Sequence, residues 1–229
     1  MNRRPSWWLL SVVGLLASAG LAGCKKKAGE GAAETHRAPV ARAVKLGQPQ
    51  AIPLTPLTMR LAPGWVAERL EGSDVPVPET PPPGMIDLSE SVEVWKVTGK
   101  SPTGRTDPFM VVTVDRRLPK GTSLAKYLAV LRADQRRQAP GRTLHLETET
   151  ITRGEREGAS IRGTLEVRLP TGGALPLMQV SRVFVDGLLG VAVTALYLED
   201  DRPRIDPEVR AMLESLKFTT RKRVEATEF

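Results

Sequence analysis

Between Arg142 and Leu198 the sequence repeats a two-residue period through several segments punctuated by turns, which limits the fold to one built on an antiparallel sheet. Ile161, Gly163, Leu165, Val167 and Leu169 alternate with Ser160, Arg162, Thr164, Glu166 and Arg168, the pattern of a strand with one buried face. That strand is expected to pair backward with residues 143–152 across residues 154–158. Forward, it pairs with residues 177–185 across Pro170-Thr171-Gly172-Gly173. Asp186-Gly187 marks a further tight turn. Residues 188–198 are apolar at both parities, so they must lie centrally with both faces covered.

The elements on either side supply the cover. Leu57-Thr58-Met59-Arg60-Leu61 alternates as a half-buried strand, and Pro63-Gly64-Trp65 then turns the chain. Two more strands are expected at residues 92–97 and 109–114, joined through Gly99-Lys100-Ser101-Pro102-Thr103-Gly104. The period then changes to that of a helix: Leu124, Tyr127, Leu128 and Leu131 share one face, with Thr122 or Ser123 as N-cap and Pro140-Gly141 as the stop. Lys126, Arg132, Arg136 and Arg137 occupy the other face and read as its solvated side. A last helix is expected from Asp206 as N-cap and Pro207 at the first helical position, with Val209, Met212, Leu213 and Leu216 facing the core. Five prolines at 76, 78, 81, 82 and 83 forbid helix and central strand alike over residues 75–84. A stiff surface loop fits them better than a polyproline ligand, since no flanking basic residue completes the usual ligand pattern.

The amino terminus carries a different kind of information. Arg3 and Arg4 precede an apolar run from Trp7 to Ala19, and small residues lead to Leu21-Ala22-Gly23-Cys24, the build of an export signal. The run is shorter than the ~20 apolar residues that a membrane span needs. The four-residue motif resembles a bacterial lipobox. That resemblance implies cleavage between Gly23 and Cys24, a diacylglyceryl group on the Cys24 thiol and an acyl group on the new amino terminus. Cysteine suits the role because its thiolate is the most available side-chain nucleophile. Two or more acyl chains, at ~0.8 kcal/mol per buried methylene, would hold the protein on a membrane. Lys25 follows Cys24 directly; in the sorting rule best known for enteric bacteria, aspartate there retains a lipoprotein at the inner membrane, so lysine favours the outer one, facing the periplasm. Surface exposure is compatible with the same anchor. Lys25, Lys26 and Lys27 open a tether to about Pro53, where a flexible coil of ~28 residues would span roughly 25 to 32 Å.

The chain therefore divides into a signal peptide at 1–23, a lipidated N-terminus and linker at 24–53, one globular domain at 54–219 and a charged tail at 220–229. Cys24 is the sole cysteine, so no intramolecular disulfide exists and the core alone holds the domain. Lysine and arginine exceed aspartate and glutamate by 33 − 26 = 7, and by 31 − 26 = 5 once Arg3 and Arg4 leave with the signal. The two signs are interspersed and aromatics make up 4%, so no platform for stacking nucleic-acid bases is present.

The order of strand, Pro-Gly-Trp turn, strands, helix, meander and a final helix ending Leu213-Glu214-Ser215-Leu216-Lys217-Phe218 is similar to the PsbP-like and DcrB-like families, over about residues 54–219. The resemblance implies an α+β fold, an α-β-α sandwich around a central antiparallel sheet, and binding or scaffold roles rather than catalysis. The proline-rich insertion after Trp65 and the long meander depart from the family pattern. No functional residue carries over, and Trp65 and Phe218 are expected to pack in or at the edge of the core.

No catalytic residue stands out. His36 falls in the tether and His145 in a strand; with no cysteine in the mature domain a His/Cys metal site is excluded. Glu147, Glu149, Glu155 and Glu157 cluster on one hairpin, but Arg153 and Arg156 among them favour a salt-linked surface over a cation site. Ser160 in Gly158-Ala159-Ser160-Ile161-Arg162-Gly163 misses the nucleophile-elbow spacing by one place, and no phosphate-cradling glycine loop occurs. No metal or cofactor is expected beyond the lipid on Cys24. The reading is a lipid-anchored envelope protein, not an enzyme, whose domain binds or assembles with an envelope protein. The alternative is an envelope hydrolase or small-ligand carrier using a pocket between sheet and helix.

Overall fold

The computed structural model describes residues 43–71, 86, 88, 91–138, 144–153, 156–168 and 173–219, with backbone alone at 136–138, 144–146 and 168. The Leu21-Ala22-Gly23-Cys24 motif, His36, the proline-rich stretch at 75–84, Pro140-Gly141, Glu155 and the tail at 220–229 lie outside the described residues.

Seven strands form one antiparallel sheet: β3 (Val66–Arg69), β4 (Val92–Thr98), β5 (Phe109–Asp115), β6 (Leu144–Arg153), β7 (Arg156–Arg168), β8 (Ala174–Asp186) and β9 (Leu189–Leu198). Their spatial order is β3-β4-β5-β9-β8-β7-β6. After β5 the helix α1 (Leu124–Gln138) crosses one face of the sheet to the far edge. The meander β6 to β9 then returns strand by strand until β9 closes against β5. The expected neighbours pair, with Ile161 facing Thr148 on β6 and Ser181 on β8, but β7 starts at Arg156 and β8 at Ala174, each earlier than expected. β9 lies between β5 and β8, which explains why it is apolar at both parities.

A second helix, α2 (Arg202–Glu214), covers the opposite face, so the molecule is an α-β-α sandwich. Val112, Val114, Val180, Phe184, Val191 and Val193 point toward it and join Val209, Met212 and Leu213 in the main core. On the α1 side, Tyr127 packs with Ala159, Ile161 and Val183. Further along that face, Phe109, Val111, Leu165, Leu177, Leu196 and Leu198 form a second apolar group.

The expected strand at Leu57 is observed as β2 (Leu57–Arg60), and two strands not expected from the sequence, β1 (Pro49–Ala51) and β10 (Lys217–Phe218), flank it in a small sheet of order β1-β2-β10. Ile52 is buried and Val44 and Leu46 pack against the main core, so ordered chain starts ahead of residue 54. β3, directly after the Pro63-Gly64-Trp65 turn, is also additional; Gly64 makes the turn with a φ of 83°, a backbone state that side-chain-bearing residues seldom adopt. β1, β3 and β10 are two to four residues long, too short for a period to show.

The last helix begins a turn earlier than expected. Asp201 takes the N-cap position, Pro203 lies in the first turn, and Asp206 and Pro207 fall inside the helix. Pro203 supplies the same start signal as Pro207, and the first-turn amides lack intrahelical partners in any case. Beginning at Arg202 brings Ile205 onto the stripe that continues through Val209 and Met212, and Ile205 is buried. That burial opposes the cost of a proline one turn into the helix.

Candidate functional site

Where α1 lies across the sheet, polar groups converge under it. Asp115 ends β5 on the α1 side at 3% exposure, and Asp134 near the end of α1 is also buried. Ser123 Oγ accepts from the Lys126 amide at 3.2 Å, so of the two N-cap candidates it is the one that starts α1. One turn in, Tyr127 is fully buried and its hydroxyl donates to Asp115 Oδ2. A β-carbon on Gly190 would collide with the Tyr127 ring, so the glycine in β9 is what lets the helix lie this close.

Asp115 Oδ1 meets Ser91 Oγ, and the Ser91 hydroxyl also reaches the Leu88 carbonyl at 2.8 Å. A hydroxyl has one proton to give. If it goes to Leu88, the Asp115–Ser91 contact needs a proton on the carboxyl. Burial raises Asp115 to about 6, with hydrogen bonds from Ser91 and Tyr127 acting downward and the nearby Asp134 carboxylate acting upward. Burial likewise pushes the Tyr127 phenol well above its usual value, and Asp115 adds to the shift, so Tyr127 remains a donor. The cavity beside this group holds about 50 Å³, lined by Thr113, Ser181 and Thr194 from the strands and Leu131, Asp134 and Gln135 from α1. Sites that enclose a small ligand typically run to ~300 Å³ or more. The cleft has room for a water or two and a carboxyl that titrates between acid and neutral pH.

A second hollow of about 200 Å³ lies at the Pro-Gly-Trp turn, between Pro63, Trp65, Lys100, Pro102, Arg204 and Glu208. Trp65 is buried, as expected of a core residue, and its indole N–H donates to Glu208 Oε2 at 2.6 Å. Phe218 is half-buried at the core edge, its ring edge-on to Phe184 at 5.4 Å with the Arg156 guanidinium above it.

The expected site residues separate. Glu147 and Glu149 pair across β6 and β7 with Arg162 and Ser160, whereas Glu157 pairs with Thr152; strand alternation therefore puts Glu157 on the opposite face. Among the described residues no three of His, Cys, Asp and Glu come together as metal ligands would. His145 lies in β6 opposite Thr164. Ser160 accepts from the Arg182 guanidinium. On α1, Lys126 is exposed as expected of a solvated face, while Arg132 turns to the sheet and donates to Thr148 Oγ1.

Two polar groups escaped the sequence reading. Asp206, expected as a cap, accepts from Tyr197 Oη at 2.6 Å, Arg162 Nη2 at 2.8 Å and Arg210 Nε at 2.8 Å, tying α2 to β9 and β7. Arg182 sits at 9% exposure on the α2 side of β8. Its position in a strand facing the main core was the available signal, since the alternation that buries Val180 and Phe184 also buries residue 182.

No protein family matches the chain, and no curated protein does. Among solved structures it is similar to the cyanobacterial PsbP (CyanoP) of Synechocystis sp. PCC 6803, at 12% identity and a TM-score of 0.47, over 81% of this chain and 98% of that one. A Pseudomonas aeruginosa protein of unknown function, PA94, is similar at 16% identity and a TM-score of 0.44, over 66% of this chain and 94% of that one. LpqN of Mycobacterium tuberculosis, described as involved in cell envelope biogenesis, is similar at 13% identity and a TM-score of 0.44, over 72% and 83%. The α+β assignment rests on the strand order and the two helices themselves.

Proposed function

We propose that the protein is a lipid-anchored lipoprotein of a bacterial cell envelope whose globular domain is a non-catalytic binding or assembly module. The outer membrane, facing the periplasm, is the expected site. The observation that carries this reading is the Leu21-Ala22-Gly23-Cys24 motif behind a basic start and an apolar run, followed by a domain with its own two-sided core. No helix among the described residues is long and apolar enough to cross a membrane. On this reading Cys24 carries the attachment, through two or more acyl chains.

The test is Cys24→Ala. Labelling with a radiolabelled fatty acid should disappear and the protein should leave the membrane fraction, with its circular dichroism unchanged. A Cys24→Ala protein that stays in membranes after a carbonate wash would end the anchor reading. Crosslinking in intact envelopes then addresses the module: the same protein should be recovered repeatedly on this domain, and consistent recovery of none would argue against an assembly role.

The hollow beside Trp65 supports a second reading, a carrier for a small polar ligand held between Lys100, Arg204 and Glu208. Trp65 lines it, so ligand entry should change its fluorescence. A panel of small carboxylates and amines that leaves the Trp65 signal unmoved would remove that reading.

A further inference from the structure

Arg182 is a cation in the wrong place for a stable core unless something neutralises it. It is 9% exposed, on the sheet face that buries Val180, Phe184 and Val193. A buried charge is tolerated when it is paired and its hydrogen bonds are filled. Among the described residues no carboxylate lies within ion-pair distance of it. Its guanidinium donates to the neutral Ser160 hydroxyl and, at 3.5 Å, weakly to the Ser181 carbonyl, while Nε is buried without a partner.

Burial acts most strongly against its charge, and groups of both signs surround it: Arg153 on β6 and Arg162 on β7 act on Arg182 as like charges, while Glu214 and Glu149 act in the opposite sense. Arg162 is already committed to Asp206. Among the described residues Arg153 has no such partner: its Nη1 reaches the Thr152 carbonyl, and its Nε is buried with no hydrogen-bond partner there. Two guanidinium groups on one face thus each hold a bare Nε–H donor, with the Ser160 hydroxyl beside Arg182.

We propose that Arg182, Arg153 and Ser160 form a binding site for a phosphate group. A planar carboxylate is satisfied by a single arginine fork, whereas donors arriving from three neighbouring strands suit a tetrahedral oxyanion with several acceptor oxygens. Arg182 forms the floor. Arg153 and Ser160 are half-buried, and Glu149 and Glu214 are exposed at the rim, so the site opens to solvent. The rim carboxylates oppose an anion and keep the affinity modest. This goes beyond the anchor reading and does not depend on it, because a chain carrying Cys24→Ala would bind phosphate equally well.

The experiment is calorimetric titration of the full chain with inorganic phosphate, and separately with dihexanoyl phosphatidic acid below its micellar concentration. One saturable site is expected. Equal affinities would identify free phosphate or a simple phosphate ester as the ligand, and at least tenfold tighter phosphatidate binding would identify a lipid headgroup. Arg153→Gln should weaken binding at least tenfold with little change in the urea midpoint, and Arg182→Gln should abolish it. The double variant Glu149→Gln, Glu214→Gln distinguishes this site from an internal ion pair. Removing the rim charges should tighten phosphate at least threefold. If those glutamates are instead the counter-ions of Arg182, the double variant will bind phosphate no better and will unfold at lower urea. That result, or no saturation in wild type up to about 10 mM phosphate, would overturn the proposal.

Discussion

At the scale of single residues, Asp115 makes the protein respond to pH in an unusual direction. Its folded value of about 6 lies above the 3.8 of a free aspartate. Between those values the folded state holds a proton that the unfolded chain has released, so stability from this group is present in acid and lost as pH rises through about 6. Ordinary paired carboxylates act in the opposite sense. Asp115→Asn keeps an acceptor for Tyr127 and removes the titration. Urea unfolding of both proteins at pH 4 and pH 7 should therefore show wild type losing roughly 2 kcal/mol relative to the variant over that interval. Parallel pH profiles would show that Asp115 is not held protonated. Asp206 accepts hydrogen bonds from one phenol and two guanidinium groups. Asp206→Ala should cost about 2 kcal/mol, since Tyr197 and Arg162 are left partly buried without their acceptor. In a double-mutant cycle with Tyr197→Phe the two losses should fall short of additive, because both remove the same bond.

At the scale of elements, the seating of α1 depends on a missing side chain. Gly190→Ala would drive a methyl into the Tyr127 ring, and with Tyr127 held by Asp115 the ring has little freedom to move. The substitution should cost about 1–3 kcal/mol in urea unfolding. Gly187→Ala, in the hairpin turn nearby where nothing crowds a β-carbon, would carry only the strain of its φ of 64° and leave Tyr127 in place. Near-ultraviolet circular dichroism of the tyrosines separates the two, changing for Gly190→Ala and not for Gly187→Ala. The sequence shows this helix, its face and its approximate start because four apolar residues repeat at helical spacing. It does not show that Asp134, on the same helix, turns inward, since a polar residue near a helix end carries no sign of what lies beneath it. The start of α2 is ambiguous for a related reason. Pro203 and Pro207 offer the same local signal, and only the burial of Ile205 in the assembled core selects the earlier one.

At the scale of the whole molecule, the meander is legible because each of its strands is long enough to display a period and each turn carries its own residues. The polar sites are not, because Asp115 reaches Ser91 across the β4–β5 pair, and Arg182 shares a sheet face with Arg153 across β7, only once the strand registers are set. The small sheet is the extreme case. β2 and β10 stand at opposite ends of the domain and pair Thr58 with Lys217 and Leu57 with Phe218, while the Thr219 amide donates to the Pro56 carbonyl at 2.7 Å. That pairing draws the start and finish of the domain together over the main core, to which Leu57, Met59 and Leu216 contribute and against which Phe218 packs. Because the two sheets share one core, they should unfold together. Phe218→Ala removes the edge contact to Phe184 and the Arg156 cover, and should cost about 2 kcal/mol for a half-buried aromatic. Its unfolding should nevertheless remain a single transition. In protein expressed from residue 24 onward, fluorescence reports only Trp65 beside α2 and Trp95 in β4, while far-ultraviolet circular dichroism reports the large sheet. The two signals should give the same urea midpoint in wild type and in Phe218→Ala. A midpoint by fluorescence that falls below the one by circular dichroism in the variant would show the small sheet and α2 separating as a unit of their own, with the termini held only by β10.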